Sequence, residues 1–222
     1  MRKIGIWVLF TICFQIVNAQ EELKINYDEV KLKIENKQSE FYYPKLLTRF
    51  NEFDETLTIE EYALIYYGFT YQNEYLNRQP DEKVIKELLK KEDYKQLVIE
   101  CKKILTQNPV SLSANNNLGY ALFKLGKDET EWGKYQKRYR ALRKVIVYSG
   151  NGLSCETAFK VIYVSDEYNM LYSYFDVETI NKQTLDGLCD KFDILPTKYY
   201  LSKTIYFDIS RKLIKQQELM NK

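Results

Sequence analysis

The sequence predicts an α+β fold, with helical hairpins first and a small antiparallel β-sheet and a C-terminal helix after them. Three observations carry this. Apolar residues recur at i, i+3, i+4 and i+7 between Tyr94 and Ile146, the period of amphipathic helices. After Tyr148 the pattern changes to β-branched and aromatic runs broken by turn residues, which is how strands read. The strands follow the helices instead of alternating with them, an order that favours α+β over a parallel α/β sheet.

Residues 1–19 read as a secretory signal peptide. Arg2 and Lys3 form a basic start, Ile4 to Val17 an apolar core, and Val17-Asn18-Ala19 a small-residue cleavage site. The apolar run falls short of the ~20 residues that span a bilayer, so no transmembrane anchor is expected after cleavage. Cys13 follows Thr11-Ile12 and lacks the small neighbour of a lipidated cysteine. Residues 20–147 then form the helical-hairpin region. Residues 148–222 form the sheet and terminal helix, packed on the helices as one unit.

Leu23 to Ser39 is charged, and Val30 and Ile34 give it one narrow apolar face. Phe41 to Phe50 is dense in aromatics, and Pro44 opens a helix there. Thr58 and Glu61 make a capping box for a helix from Ile59 to Gln72. That helix is apolar nearly all round and is therefore expected in the core. Tyr75 to Asp81 is a polar connection with Pro80, and Val84 to Leu89 a short helix. From Asp93 to Gln107, Tyr94, Leu97, Val98, Cys101, Ile104 and Leu105 share one stripe. Asn108-Pro109 ends this helix, since a residue before proline avoids the α region. The next helix runs from Leu112 to Leu125, and Gly126 supplies its left-handed cap. A third begins at Asp128, with Glu131 completing a second capping box.

Asn115-x2-Leu118-Gly119-x2-Leu122 keeps the Leu-Gly core of the tetratricopeptide pattern, and Leu97-x3-Cys101 followed by Pro109 keeps its second-helix spacing. Leu64-x2-Tyr67-Gly68-x2-Tyr71 repeats the glycine and tyrosine positions. The separation of Gly68 and Gly119 exceeds the repeat of about 34 residues. The region thus resembles tetratricopeptide hairpins with an insertion between them. In the last third, Phe159 to Val164 is expected as a strand, Ser165-Asp166-Glu167 as a turn and Met170 to Val177 as the hairpin mate. Leu188, Phe192 and Ile194 share a face of a third strand, closed by Pro196. Thr204 to Ile209 alternates, with Ile205, Phe207 and Ile209 inward. Arg211 to Met220 forms the final helix.

The chain has no histidine. That removes Ser-His and Cys-His nucleophile systems and most zinc and copper sites. No cofactor motif and no metal-ligand set is present; Asp186, Asp190 and Asp193 lack the spacing and closing Glu of a calcium loop. Loss of residues 1–19, with Arg2 and Lys3 but no acid, takes the formal charge from +2 to zero. A nucleic-acid partner, which needs a basic excess, is therefore not expected. Lys134, Lys137, Arg138, Arg140, Arg143 and Lys144 make one helix basic, and a solvated face is the plain reading. Cys101, on an apolar stripe, reads as a buried thiol. Cys155 and Cys189 could pair in an oxidising compartment.

Phe41-Tyr42-Tyr43-Pro44-Lys45-Leu46-Leu47, Tyr66-Tyr67-Gly68 and the run from Gly150 to Phe159 together resemble a family known as domain of unknown function forty-nine nineteen, exported proteins of Bacteroides-like bacteria. The likeness extends over nearly the whole chain after residue 19. It implies export and a single architecture, and carries over no functional residues. The family has an acidic residue between the two glycines where this chain has Asn151, which speaks against a cation in that loop.

Two sites stand out. The loop with Gly150, Gly152, Ser154 and Glu156 has neither a nucleophile elbow nor a P-loop pattern and reads as a structural turn. If Leu118 and Gly119 face a partner helix, then Ser113, Asn116, Tyr120, Phe123 and Lys124 point into a groove suited to an extended peptide. The sheet must bury one face against something, and cover over Tyr120 and Phe123 is the slightly favoured arrangement. The function expected is an exported, non-enzymatic interaction module for an envelope protein or peptide, in the periplasm, at the cell surface or outside the cell. The alternative is a His-free glycan or peptidoglycan hydrolase using a carboxylate pair.

Overall fold

A computed structural model describes residues 23–221; the predicted leader and Cys13 lie outside the described residues. Helix α1 (Tyr27–Glu35) is capped by Asn26, whose Oδ1 accepts from Asp28 N at 2.9 Å, and it buries Val30 and Ile34. Helix α2 (Tyr43–Asn51) opens on Pro44 and buries Tyr43, Leu46 and Phe50. Helix α3 (Ile59–Gly68) starts with the predicted box. Glu61 N donates to Thr58 Oγ1 at 3.2 Å and Thr58 N to Glu61 Oε2 at 2.7 Å, which satisfies two otherwise orphaned donors. Residues 63–68 are all buried, so α3 is the central post of the fold. Its last turn tightens into a 3-10 turn, Phe69–Tyr71.

Four helices follow: α4 (Glu82–Lys90), α5 (Tyr94–Gln107), α6 (Leu112–Lys124) and α7 (Glu129–Tyr148). They pack in succession around a cluster that includes Ile85, Leu97, Cys101, Leu118 and Leu122. Gly126 caps α6 at φ 70°, a conformation that suits glycine. The box expected at Asp128 does not form: its side chain caps nothing. Glu129 and Glu131 already place negative charge at the helix's positive end. Gly119 does face α7. A Cβ there would lie 2.7 Å from Gln136 Nε2, so the two helices meet through that amide and not backbone to backbone.

The region after α7 needs two corrections. The expected strand is reduced to β1 (Phe159–Lys160), and its expected mate is helical, α8 (Val164–Ser173). The acids read as a turn are the first turn of α8, where negative charge is favoured. Asp166, Glu167, Met170 and Leu171 are its buried residues, at helical spacing. The partner of β3 (Cys189–Ile194) is β2 (Ile180–Asp186), a strand that buries none of its residues. Without a buried face it shows no apolar alternation, so nothing in its sequence announces it. With β4 (Thr204–Asp208) and helix α9 (Ser210–Met220) the chain is complete to the last described residues.

The strand order is β1-β4-β3-β2. Strands β2, β3 and β4 are antiparallel, while β1 runs parallel to β4, so the sheet is mixed and not wholly antiparallel. The fold is α+β. Phe192, Ile194, Ile205 and Phe207 join a core that also takes in α1–α3, α7 and α8. Leu188, expected on that face, is exposed, because it sits in the β2–β3 turn before β3 begins. Among the described residues, no helix is long and apolar enough to cross a membrane.

Candidate functional site

The α6–α7 groove is open. Asn116, Tyr120 and Phe123 line a cavity of about 350 Å³ with Trp132, Gln136 and Arg140. Tyr120 and Phe123 are 38% and 57% exposed, which overturns the expectation that the sheet covers them. The sheet instead joins the core built on α1–α3 and α7. The geometry follows from spacing: positions 116, 120 and 123 lie at i, i+4 and i+7, one face of α6. The Phe123 and Trp132 rings meet edge to face at 5.7 Å. Gln136 donates to Asn116 O at 2.9 Å, which fixes the floor where Gly119 leaves room. Lys124 does not line the cavity; its Nζ stands 5.5 Å over the Tyr120 ring. Ser113 does not line it either. It is buried and its Oγ donates to Glu82 Oε1 on α4 at 2.6 Å.

A larger cavity, about 510 Å³, lies at the seam between the two apolar clusters, with Leu105 and Pro109 on one side and Tyr43 and Phe53 on another. Arg138 is on its wall, and the expected solvated face of α7 is corrected here. Arg138 is 5% exposed, its guanidinium carbon 3.7 Å from the Phe53 ring centre and 4.2 Å from that of Phe50. It donates to Phe50 O, and burial pushes its pKa down to about 10. Arg143 also turns inward, donating to Ser173 O at 3.0 Å. Lys134, Lys137, Arg140 and Lys144 remain exposed. A run of like charges does not reveal which members meet an aromatic side chain from elsewhere in the chain.

The loop with Gly150 and Gly152 is a tight turn. Asn151 N and Gly152 N both donate to Thr157 O, at 2.9 and 2.8 Å. Ser154 Oγ lies 3.2 Å from Thr157 Oγ1, and its hydrogen bond to Glu156 lowers that carboxyl's pKa. These groups are spent on the turn's own backbone and hydroxyls. Cys155 and Cys189 are joined by a disulfide with Cα atoms 5.7 Å apart. A Cβ on Gly150 would sit 2.5 Å from Ala158 O, so Gly150→Ala is expected to cost about 2–3 kcal/mol. Urea unfolding checks this; a loss below about 1 kcal/mol would mean that the turn gives way.

The carboxyl groups that do gather are Asp166, Glu167 and Asp190. All three are buried, and none lines either cavity described above. Tyr66 Oη donates to Asp166 Oδ2 at 2.7 Å, and burial pushes Asp166 up to about 7. Burial and then the neighbouring Asp190 raise Glu167 well above the ordinary carboxyl range. The signal was present in the sequence: Asp190 stands two residues before Phe192, on the same face of β3. Among the described residues, no group of three or more His, Cys, Asp or Glu is placed to hold a metal ion.

The profile of one family, described as Domain of unknown function (DUF4919), matches residues 28–218. The chain belongs to this family. The match runs from α1 into α9, so the helices and the sheet are one family unit, and both cavities fall inside it. Searches of curated proteins and of solved structures returned no match.

Proposed function

We propose that the protein is an exported, non-enzymatic interaction module whose α6–α7 groove takes an extended peptide segment of an envelope protein. One observation carries this reading: Tyr120 and Phe123 stay uncovered beside Trp132, in a cavity large enough for apolar side chains. Arg140 is on the wall and Lys124 at the rim, and among the described residues no acid lines the cavity. The occupant is therefore a segment with an aromatic or aliphatic side chain next to a carboxylate. Asn116 and Asn117 offer amides to its backbone. The predicted leader supports export, as does the Cys155–Cys189 bridge, because disulfides persist in oxidising compartments.

The hydrolase alternative needs two carboxyls about 5–10 Å apart in a cleft. Glu167 and Asp190 stand together, but Glu167 is 0% exposed, so nothing favours that reading. The test is fluorescence anisotropy with labelled peptides pairing an apolar residue with an Asp. Phe123→Ala and Tyr120→Ala are each expected to weaken the best binder about tenfold or more, as truncated aromatic anchors do. Unchanged affinity in both variants, with circular dichroism showing intact folds, would overturn the proposal.

A further inference from the structure

The seam cavity has an unusual electrostatic make-up. Arg78, Lys102 and Arg138 line it, and among the described residues no Asp or Glu does. Its lining shares no residue with the α6–α7 groove. Arg138 has no ion pair among the described residues; its hydrogen bond goes to a neutral carbonyl, Phe50 O, and the acids nearest to it, Asp54 and Glu55, line a separate cavity on its other side. Two half-buried cations elsewhere have acids of their own: Arg49 has Asp54 and Glu61, and Lys160 has Asp208 at 2.6 Å. Arg211, buried like Arg138, rests instead on Thr70 Oγ1 and the Tyr71 ring and lines neither the seam cavity nor the groove. A buried guanidinium without a counter-charge is costly. Holding one on the wall of a water-accessible space lowers the cost of receiving an anion there, because the desolvation has already been met in folding. The rest of the wall is apolar or neutral, with Tyr43, Phe53 and Leu105 supplying surface and Gln72 and Gln107 supplying amides.

We infer that the seam cavity is a second binding site, for a ligand with one carboxylate on an apolar body. The cations take the carboxylate through charge-assisted hydrogen bonds, and the aromatic and aliphatic wall takes the body. The volume, about 510 Å³, is in the range of sites that enclose small organic ligands. The same chemistry is presented by a free aliphatic acid and by the C-terminus of a peptide ending in an apolar residue.

Isothermal titration calorimetry on the full chain separates these sources and tests the site. The probes are dodecanoate against dodecanol, and Ala-Leu-Phe with a free C-terminus against its amide. At least one acid is expected to bind about tenfold or more tightly than its neutral counterpart, and the tighter acid identifies the source. Arg78 is half-buried and Lys102 exposed, so the double variant Arg78→Gln, Lys102→Gln is expected to fold and to lose most of that preference. Phe123→Ala is expected to leave it unchanged, which distinguishes failure here from failure of the groove proposal. Equal binding of acid and neutral probe, binding of neither acid, or full affinity in the double variant would each overturn the inference.

Discussion

Reduction of the Cys155–Cys189 bridge is expected to lower the stability of the protein by about 3–4 kcal/mol. The two cysteines are 34 positions apart, and closing a loop of that length removes roughly that much chain entropy from the unfolded state. The closed segment holds β1, α8 and β2. Its middle is tied to the core by Val161, Ile162, Tyr163 and the buried face of α8, whereas β2, next to the bridge, buries no side chain. Urea unfolding with and without dithiothreitol measures the effect, and Cys155→Ser with Cys189→Ser should reproduce the reduced midpoint. Cys101 should contribute nothing to the difference. It is fully buried, and burial followed by the nearby Glu82 and Glu100 pushes its thiol up to about 12, too high to react near neutrality. A drop under about 1 kcal/mol would show that packing alone holds the segment.

The second large effect is on the pH dependence of stability. Asp166 has a folded-state pKa of about 7 against about 4 in an unfolded chain. Below pH 4 both states hold the proton and the group is neutral in the balance. Between pH 4 and 7 the unfolded chain releases the proton while the folded protein keeps it, so stability falls as pH rises. The fall from this one group is of the order of 4 kcal/mol, and it is complete above pH 7. Glu167, raised for the same reason, adds in the same direction. Asp54 acts with the opposite sign, since hydrogen bonds from Thr56 and then Arg49 hold its carboxyl at about 2. The clean quantity is therefore the difference between wild type and Asp166→Asn. The variant keeps an acceptor for Tyr66 and cannot ionise, so it should lose about 2–4 kcal/mol of the wild type's decline between pH 4 and 8. Parallel curves for the two proteins would mean that Asp166 is ionised in the folded state.

The helices before Tyr148 were legible because local signals mark them. The Thr58–Glu61 box, Pro44 and Gly126 mark ends, and the apolar stripe of α5 marks a face. The α+β order was legible from the change of period after Tyr148. What the chain hid was structure without local periodicity. Strand β2 pairs through its backbone and offers both faces to water, so its side chains carry no pattern. Helix α8 was concealed because Met170 to Val177 is rich in residues that serve either a strand or a buried helix, and the acids before it read equally as turn or first turn. The groove residues Asn116, Tyr120 and Phe123 followed from one helical face. The seam cavity did not, because Arg78, Lys102 and Arg138 come from three separate elements and only the packed chain brings them together.

Among the described residues, the outer rim of β2 has no neighbouring strand. Open rims are where chains stack into fibres. Here the rim carries Asn181, Lys182 and Gln183, and the pairing with β3 slips between Ile180 and Lys182. Charge and a broken ladder make a poor template for another copy. The same polar character that hides this strand in the sequence thus guards the molecule against self-templated assembly, at the one margin of its sheet long enough to invite it.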